Sequence, residues 1–169
     1  MRNRLANDNP PHMNIRQATP SDAEQIARFN QLMAHETEAK TLDPEIVAHG
    51  VAAVLANPTR GFYTVAEIDG EVVGCLMITF EWSDWRNGNI WWIQSVYVEA
   101  THRKTGVYRA LYEHLYKQAE VADDVAGIRL YVDKTNTAAQ TVYRKMGMKL
   151  ARYDIYEVDF VLGSEGTQK

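Results

Sequence analysis

The chain has 169 residues, 46% hydrophobic and 24% charged, with 18 Lys and Arg against 22 Asp and Glu for a formal net charge of -4. That length suits one domain, and the composition excludes a wholly disordered or collagen-like chain. The acidic balance disfavours a general nucleic-acid binder, because that affinity comes mainly from basic residues on phosphates. One cysteine, Cys75, excludes an internal disulfide and a cysteine-based zinc finger, and the five histidines show no ligand spacing, so no metal is expected. No run approaches the ~18 apolar residues that cross a bilayer. Residues 1–12 are polar, without the apolar stretch of a signal peptide. The cytoplasm is the expected compartment, with no membrane partner. All four tryptophans (Trp82, Trp85, Trp91, Trp92) fall in one short stretch.

In chain order, residues 1–12 read as a loose leader, 13–162 as one folded domain and 163–169 as a tail. Residues 14–19 alternate and predict a strand. Ser21, with Glu24 three residues on, has the pattern of a helix cap. The helix it opens carries Ile26, Phe29 and Met33 on its apolar face. A second helix is predicted from Asp43–Pro44 to just before Asn57–Pro58. The period then changes to two: residues 62–68 and 72–80 are strands joined by Asp69–Gly70, a strong hairpin signal. A polar loop over 83–89 leads into an apolar strand, 90–98. Residues 107–121 predict a helix, 128–132 a strand, 137–146 a helix and 149–161 a final alternating strand or hairpin. The order β–α–α–β–β–β–α–β–α–β describes an α/β (α+β) fold. Its sheet is mixed and mostly antiparallel, with one parallel pair across a helix.

The segment 94–115 carries the chemistry. A buried strand runs into a loop of Arg103, Lys104, Thr105 and Gly106, and a helix starts at Val107. Unpaired amides and the dipole make such a helix start an anion site, and Gly106 lets a ligand come close to the backbone. It is neither a Walker A loop nor a dinucleotide fingerprint. Arg103-x-x-Gly106-x-Tyr108 resembles the Arg/Gln-x-x-Gly-x-Gly/Ala motif with which the GNAT superfamily of N-acetyltransferases binds the pyrophosphate of acetyl-CoA. Asn136, Ala139, Tyr143, Gly147 and Met148 resemble that family's second CoA motif. The likeness covers residues 14 to about 161. Tyr108 stands where the family has Gly or Ala, and Lys104 where many members have Gly.

The resemblance implies a GNAT-like domain whose parallel strand pair splays at the CoA site. It implies acetyl-CoA as acyl donor, bound by Val96, Tyr97, Val98, Arg103, Lys104, Thr105, Gly106, Val107, Tyr108, Arg109, Asn136, Ala139 and Tyr143. A backbone N–H of Val96 or Tyr97 would meet the thioester oxygen, and Tyr143 would be the acid for the departing thiolate. An amine also needs a base, since its pKa lies near ~10. Glu81, at a strand end beside Trp82, is the first candidate. Glu36, Asp84 and a water held by Gln94 or Ser95 are the others. Glu36, Trp82, Asp84 and Trp92 are the candidate acceptor contacts. The expected activity is direct acetyl transfer to a primary amine of a small molecule. The alternatives are a protein or peptide N-acetyltransferase and a non-catalytic acyl-CoA-binding module. The family also makes a homodimer an expected partner.

Overall fold

The computed structural model describes residues 12–158 and Phe160, so the expected tail and all but the last residue of the expected leader lie outside it. The chain divides into two compact units, one ending at Tyr131 and the other starting at Val132.

The first unit runs β1 (Met13–Gln17), α1 (Ala23–Glu38), α2 (Pro44–Ala56), β2 (Phe62–Ile68), β3 (Glu71–Ser83), β4 (Gly88–Val98), α3 (Val107–Val121) and β5 (Val125–Leu130). The strands form one sheet in chain order, antiparallel throughout except that β4 and β5 are parallel. A parallel pair needs a crossover, and α3 supplies it. Asp69 and Gly70 both have positive φ, 53° and 86°, the twist a two-residue hairpin requires. Residue alternation divides the sheet's two faces. Tyr63, Val65, Cys75 and Tyr97 join Ile26, Phe29, Val51 and Val54 of α1 and α2 in one core. On the other face Gly74 leaves room for Val107 of α3, and Leu111 and Leu115 of α3 are fully buried. Cys75 is 0% exposed, and burial pushes its thiol up to about 12, which makes it an inert core residue.

Several elements differ from the sequence reading. The cap before α1 is built two residues earlier than Ser21 and Glu24. Thr19 opens a short 3-10 turn, Pro20–Asp22, and its N–H donates to Asp22 Oδ2 at 2.7 Å. β3 continues to Ser83, so Glu81 lies inside a strand opposite Ile90 instead of ending one. β5 starts three residues before the predicted 128 because the Asn89 side chain and N–H both bond Asp124, at 2.9 and 2.7 Å, and so set the ladder from Val125 onwards.

Asp22 anchors the α1 entry. Arg16 donates to both of its oxygens at 2.8 and 2.9 Å and to Glu67 at 2.9 Å. Asp22 is 6% exposed, and the Arg16 hydrogen bonds hold its carboxyl down at about 2. A depressed folded value stabilises the fold above the ordinary carboxylate pKa and stops doing so as pH falls through about 2. Asp22→Asn is therefore expected to lower unfolding free energy by about 2 kcal/mol at neutral pH. Denaturant unfolding at neutral pH and again near pH 2 checks it: the difference between variant and parent should shrink at the acid end.

In the second unit, α4 (Thr137–Lys145) is framed by two motif residues. Asn136 is its N-cap, its Oδ1 accepting from the Ala139 N–H at 3.0 Å. Gly147, at φ 86°, ends it: the Met148 N–H reaches Tyr143 O at 3.0 Å and the Gly147 N–H reaches Arg144 O at 3.1 Å. This is a Schellman close that favours glycine at that point. The strand predicted over 149–161 is not formed among its described residues. Leu150, Tyr153 and Tyr156 stand exposed. Alternation marks a strand only where a neighbouring strand takes its hydrogen bonds, and no described strand is paired with this segment.

Candidate active site

The loop after β4 passes through a 3-10 turn, Ala100–His102, and then two left-handed residues, Lys104 at φ 66° and Gly106 at φ 95°. The Thr105 hydroxyl donates to His102 O at 2.7 Å and tightens the bend. Gly106 is the N-cap of α3 and has no side chain to offer. The first helical bond runs from the Ala110 N–H to Gly106 O at 2.9 Å. The amides of Val107, Tyr108 and Arg109 thus open the helix without a side-chain cap, whereas Asp43 and Asn136 cap α2 and α4. A Cβ on Gly106 would meet nothing within 4 Å, so the space over the loop is open. Open amides, the positive end of a helix and Lys104 and Arg109 close in sequence suit a diphosphate. Val107 is buried in the core and has only its backbone to give. Arg109 pairs with Glu113 at 2.7 Å on the exposed flank. The ring of Tyr108 lies 6.5 Å from that of Tyr112, one turn further along α3, which itself lies 6.3 Å from Tyr116. The large residue at the motif's small-residue position is accommodated in this row of tyrosines, beside the buried Tyr112.

Before that loop, β4 carries an irregularity that the sequence reading did not identify. Cys75 pairs with Tyr97 and Met77 with Gln94, so Ser95 and Val96 together oppose Leu76. Ser95 takes φ 37°. This is a β-bulge, which unpairs part of a ladder and re-aims the strand. On the other edge, pairing with β5 ends at Ile93 and Leu130. The bulge and the end of the parallel ladder therefore coincide on residues 94–98. The only trace in the sequence is the polar pair Gln94–Ser95 inside an otherwise apolar strand. Tyr97 is 6% exposed with its ring in the core, so its contribution to a ligand is its backbone.

The predicted acceptor residues do not gather in one place. Glu36, on α1, accepts from Tyr97 Oη at 2.9 Å and from Arg103 Nη2 at 2.5 Å. The Arg103 guanidinium, then the Tyr97 hydroxyl, hold its carboxyl below the ordinary value. Its carboxylate is thereby joined to the loop through Arg103. Asp84 sits in the β3–β4 turn and accepts the Trp85 N–H at 2.8 Å. Trp82 follows Glu81 on one strand, so the two leave opposite faces, and Trp82 is largely exposed. Trp91 packs edge-on to Phe62 at 5.2 Å on the α3 face.

Glu81 and Trp92 do come together. Glu81 Oε2 accepts the Trp92 indole N–H at 2.5 Å, and Oε1 accepts from Arg129 Nη1 at 2.8 Å. Trp92 stacks on Tyr131 with ring centroids 4.4 Å apart, and Arg129 lies over the indole at 5.7 Å. Arg129 and Tyr131 were not singled out from sequence. With both oxygens holding donors, Glu81 is poorly placed as a general base; it orients Trp92 and Arg129 on the face shared with Thr79 and Gln94. Gln94 Nε2 lies 3.3 Å from Thr79 Oγ1.

In the second unit, Asn136 and Ala139 are engaged with each other as the cap of α4, and Tyr143 is half-buried on that helix.

A model of the acetyltransferase (GNAT) family matches residues 23–148. The chain is 28% identical over 144 residues to an N-alpha-acetyltransferase of Sulfurisphaera tokodaii, a match spanning 80% of this chain and 79% of that protein. Among solved structures, a possible acetyltransferase from Clostridium difficile 630 is 39% identical with a TM-score of 0.83, over 88% of this chain and 98% of that one. An aminoglycoside N-acetyltransferase solved in complex with CoA is 14% identical with a TM-score of 0.72, over 90% of this chain and 98% of that one, a likeness of fold alone.

Proposed function

The chain belongs to the acetyltransferase (GNAT) family, and with acetyl-CoA as its acyl donor we propose that it acetylates a primary amine of a small molecule by direct attack on the thioester. The observation that carries this reading is a coincidence within the first unit. The β4 bulge, the end of the β4–β5 ladder and the uncapped start of α3 follow one another over residues 93–109.

In this reading the amides of Val107, Tyr108 and Arg109, with Lys104 and Thr105 at the bend of Gly106, hold the diphosphate. The backbone of Val96, Tyr97 and Val98 pairs with the donor's pantetheine amides as an added strand would. A bulge N–H at Val96 or Tyr97 lies where negative charge on the thioester oxygen needs a donor. Tyr143 gives its phenolic proton to the departing sulfur. Water held by Gln94 takes the amine proton, because Glu81 is committed to Trp92 and Arg129. Acetyl-CoA supplies the activated acyl group, and the chain's residues bind, orient and move protons.

Trp92 and Tyr131 offer a flat apolar surface, and the Glu81–Arg129 pair leaves little net charge beside it. That favours a small amine with a planar or apolar body over a polycation. A second reading, the α-amine of a peptide, is supported by the N-alpha-acetyltransferase relative. A lone buried thiol suits the cytoplasm, where we place the activity.

The test measures CoA thiol release from acetyl-CoA with a panel of aromatic and aliphatic primary amines beside short peptides with free N-termini. The small amines should lead in kcat/KM by about tenfold or more, a difference of roughly 1.4 kcal/mol in transition-state binding. Peptides leading by that margin would establish the second reading instead.

A further inference from the structure

Arg103 opens the diphosphate loop, yet its guanidinium is turned back into the protein. Nε donates to the carbonyl of Val98, the last residue of β4, at 2.9 Å, and Nη2 donates to Glu36 at 2.5 Å. The guanidinium lies 5.3 Å from the centre of the Tyr97 ring. Tyr97 returns to Glu36 through its hydroxyl and to Phe29 of α1 through its ring, 5.0 Å away. One carboxylate on α1 therefore joins the start of the loop to the residue that closes the β4 bulge.

We propose that Glu36 is a positioning residue of the donor site, and that Arg103 acts through it as a strut which sets the loop, not as a ligand of the phosphates. A guanidinium braced in this way holds the bend on which the α3 amides open. Glu36 is the one carboxylate bonded to both Tyr97 and Arg103 among the described residues. The Arg103 side chain is 44% exposed and that of Glu36 36%. An isolated pair so exposed would count for little; the Val98 carbonyl and the Tyr97 ring and hydroxyl make it a four-point network. The inference rests on the loop being the diphosphate cradle.

The two possible jobs of Arg103 give opposite results for Glu36→Gln. If Arg103 is a strut, losing its anchor loosens the loop and weakens CoA binding. If Arg103 is a phosphate ligand that Glu36 holds back, losing the rival carboxylate strengthens binding. Calorimetric titration with CoA, no acceptor present, reads this directly on the full chain. Glu36→Gln and Arg103→Met should each raise the CoA Kd about tenfold, and the double variant should be no weaker than the worse single, as coupled partners require. The KM for acetyl-CoA should rise in step while kcat at saturation stays within about twofold. Glu36→Asp, which keeps the charge, should recover part of the loss and serves as the comparison if Glu36→Gln fails to give a cooperative unfolding transition. Unchanged or tighter CoA binding in Glu36→Gln overturns the proposal. Gly106→Val in the same titration separates the two levels. If it binds CoA like the parent, the cradle reading itself fails; if it loses CoA while Glu36→Gln does not, the strut alone fails.

Discussion

Tyr143→Phe is expected to lower kcat by about a hundredfold or more, the usual contribution of a positioned general acid. The phenol carries a proton to give at neutral pH. The backbone of Tyr143 is held firmly: its carbonyl accepts the N–H groups of Met146 and Met148 at 3.1 and 3.0 Å in the close of the helix. Its side chain is half-buried, whereas its neighbours Val142 and Arg144 are exposed. Phenylalanine keeps the ring and removes one hydroxyl, and a Kd for CoA close to the parent's is the second half of the expected result. That split, kcat lost with donor binding kept, is what a proton donor for the leaving thiolate requires and what a packing tyrosine would not give. Steady-state thiol release with the best acceptor, together with a CoA titration, measures both halves. A fall in kcat of less than about threefold would place the acid on another residue.

Gly106→Val acts on the other side of the reaction. At φ 95° a residue with a Cβ, and above all a β-branched one, costs about 1–2 kcal/mol. Nothing lies within 4 Å of the added Cβ, so no clash inside the protein adds to that. The added Cβ stands in open space at the residue next to the α3 amides, which hold the diphosphate in the proposed reading. The Kd for CoA is expected to rise by about a hundredfold or more, while the thermal midpoint falls by only a few degrees. Calorimetric titration and thermal unfolding of the same preparation check the two effects. A midpoint shift with CoA binding intact would mean that the glycine serves the turn and not the ligand.

Much of the fold was legible because its signals are local. Asp69–Gly70, Asp43–Pro44 and the four-residue spacing in 107–121 each name an element through its own few residues, and α3 has the predicted bounds. Asn136 and Gly147, read as motif positions, are also the two caps of one helix, so their spacing is in part the grammar of a nine-residue helix. What escaped depends on partners distant in sequence. The start of β5 is set by Asn89 binding Asp124 across the sheet. The bulge at Ser95 and Val96 is a mismatch between two strands, and neither strand alone contains it. Glu81 looked available for proton transfer because Arg129, 48 residues away, cannot be placed beside it from spacing. The alternation in 149–161 names a strand without naming its neighbour. The tryptophan cluster likewise divides: Trp91 and Trp92 serve opposite faces, Trp82 and Trp85 are exposed, and Trp92 alone stands with Glu81.

The most direct measurement is a crystal structure of the chain with CoA bound. The expected result has the pantetheine along residues 94–98 of β4, the diphosphate oxygens on the amides that open α3, and Arg103 still bonded to Glu36 and to the Val98 carbonyl. CoA bound away from the β4–α3 loop, with those amides untouched, would contradict the account.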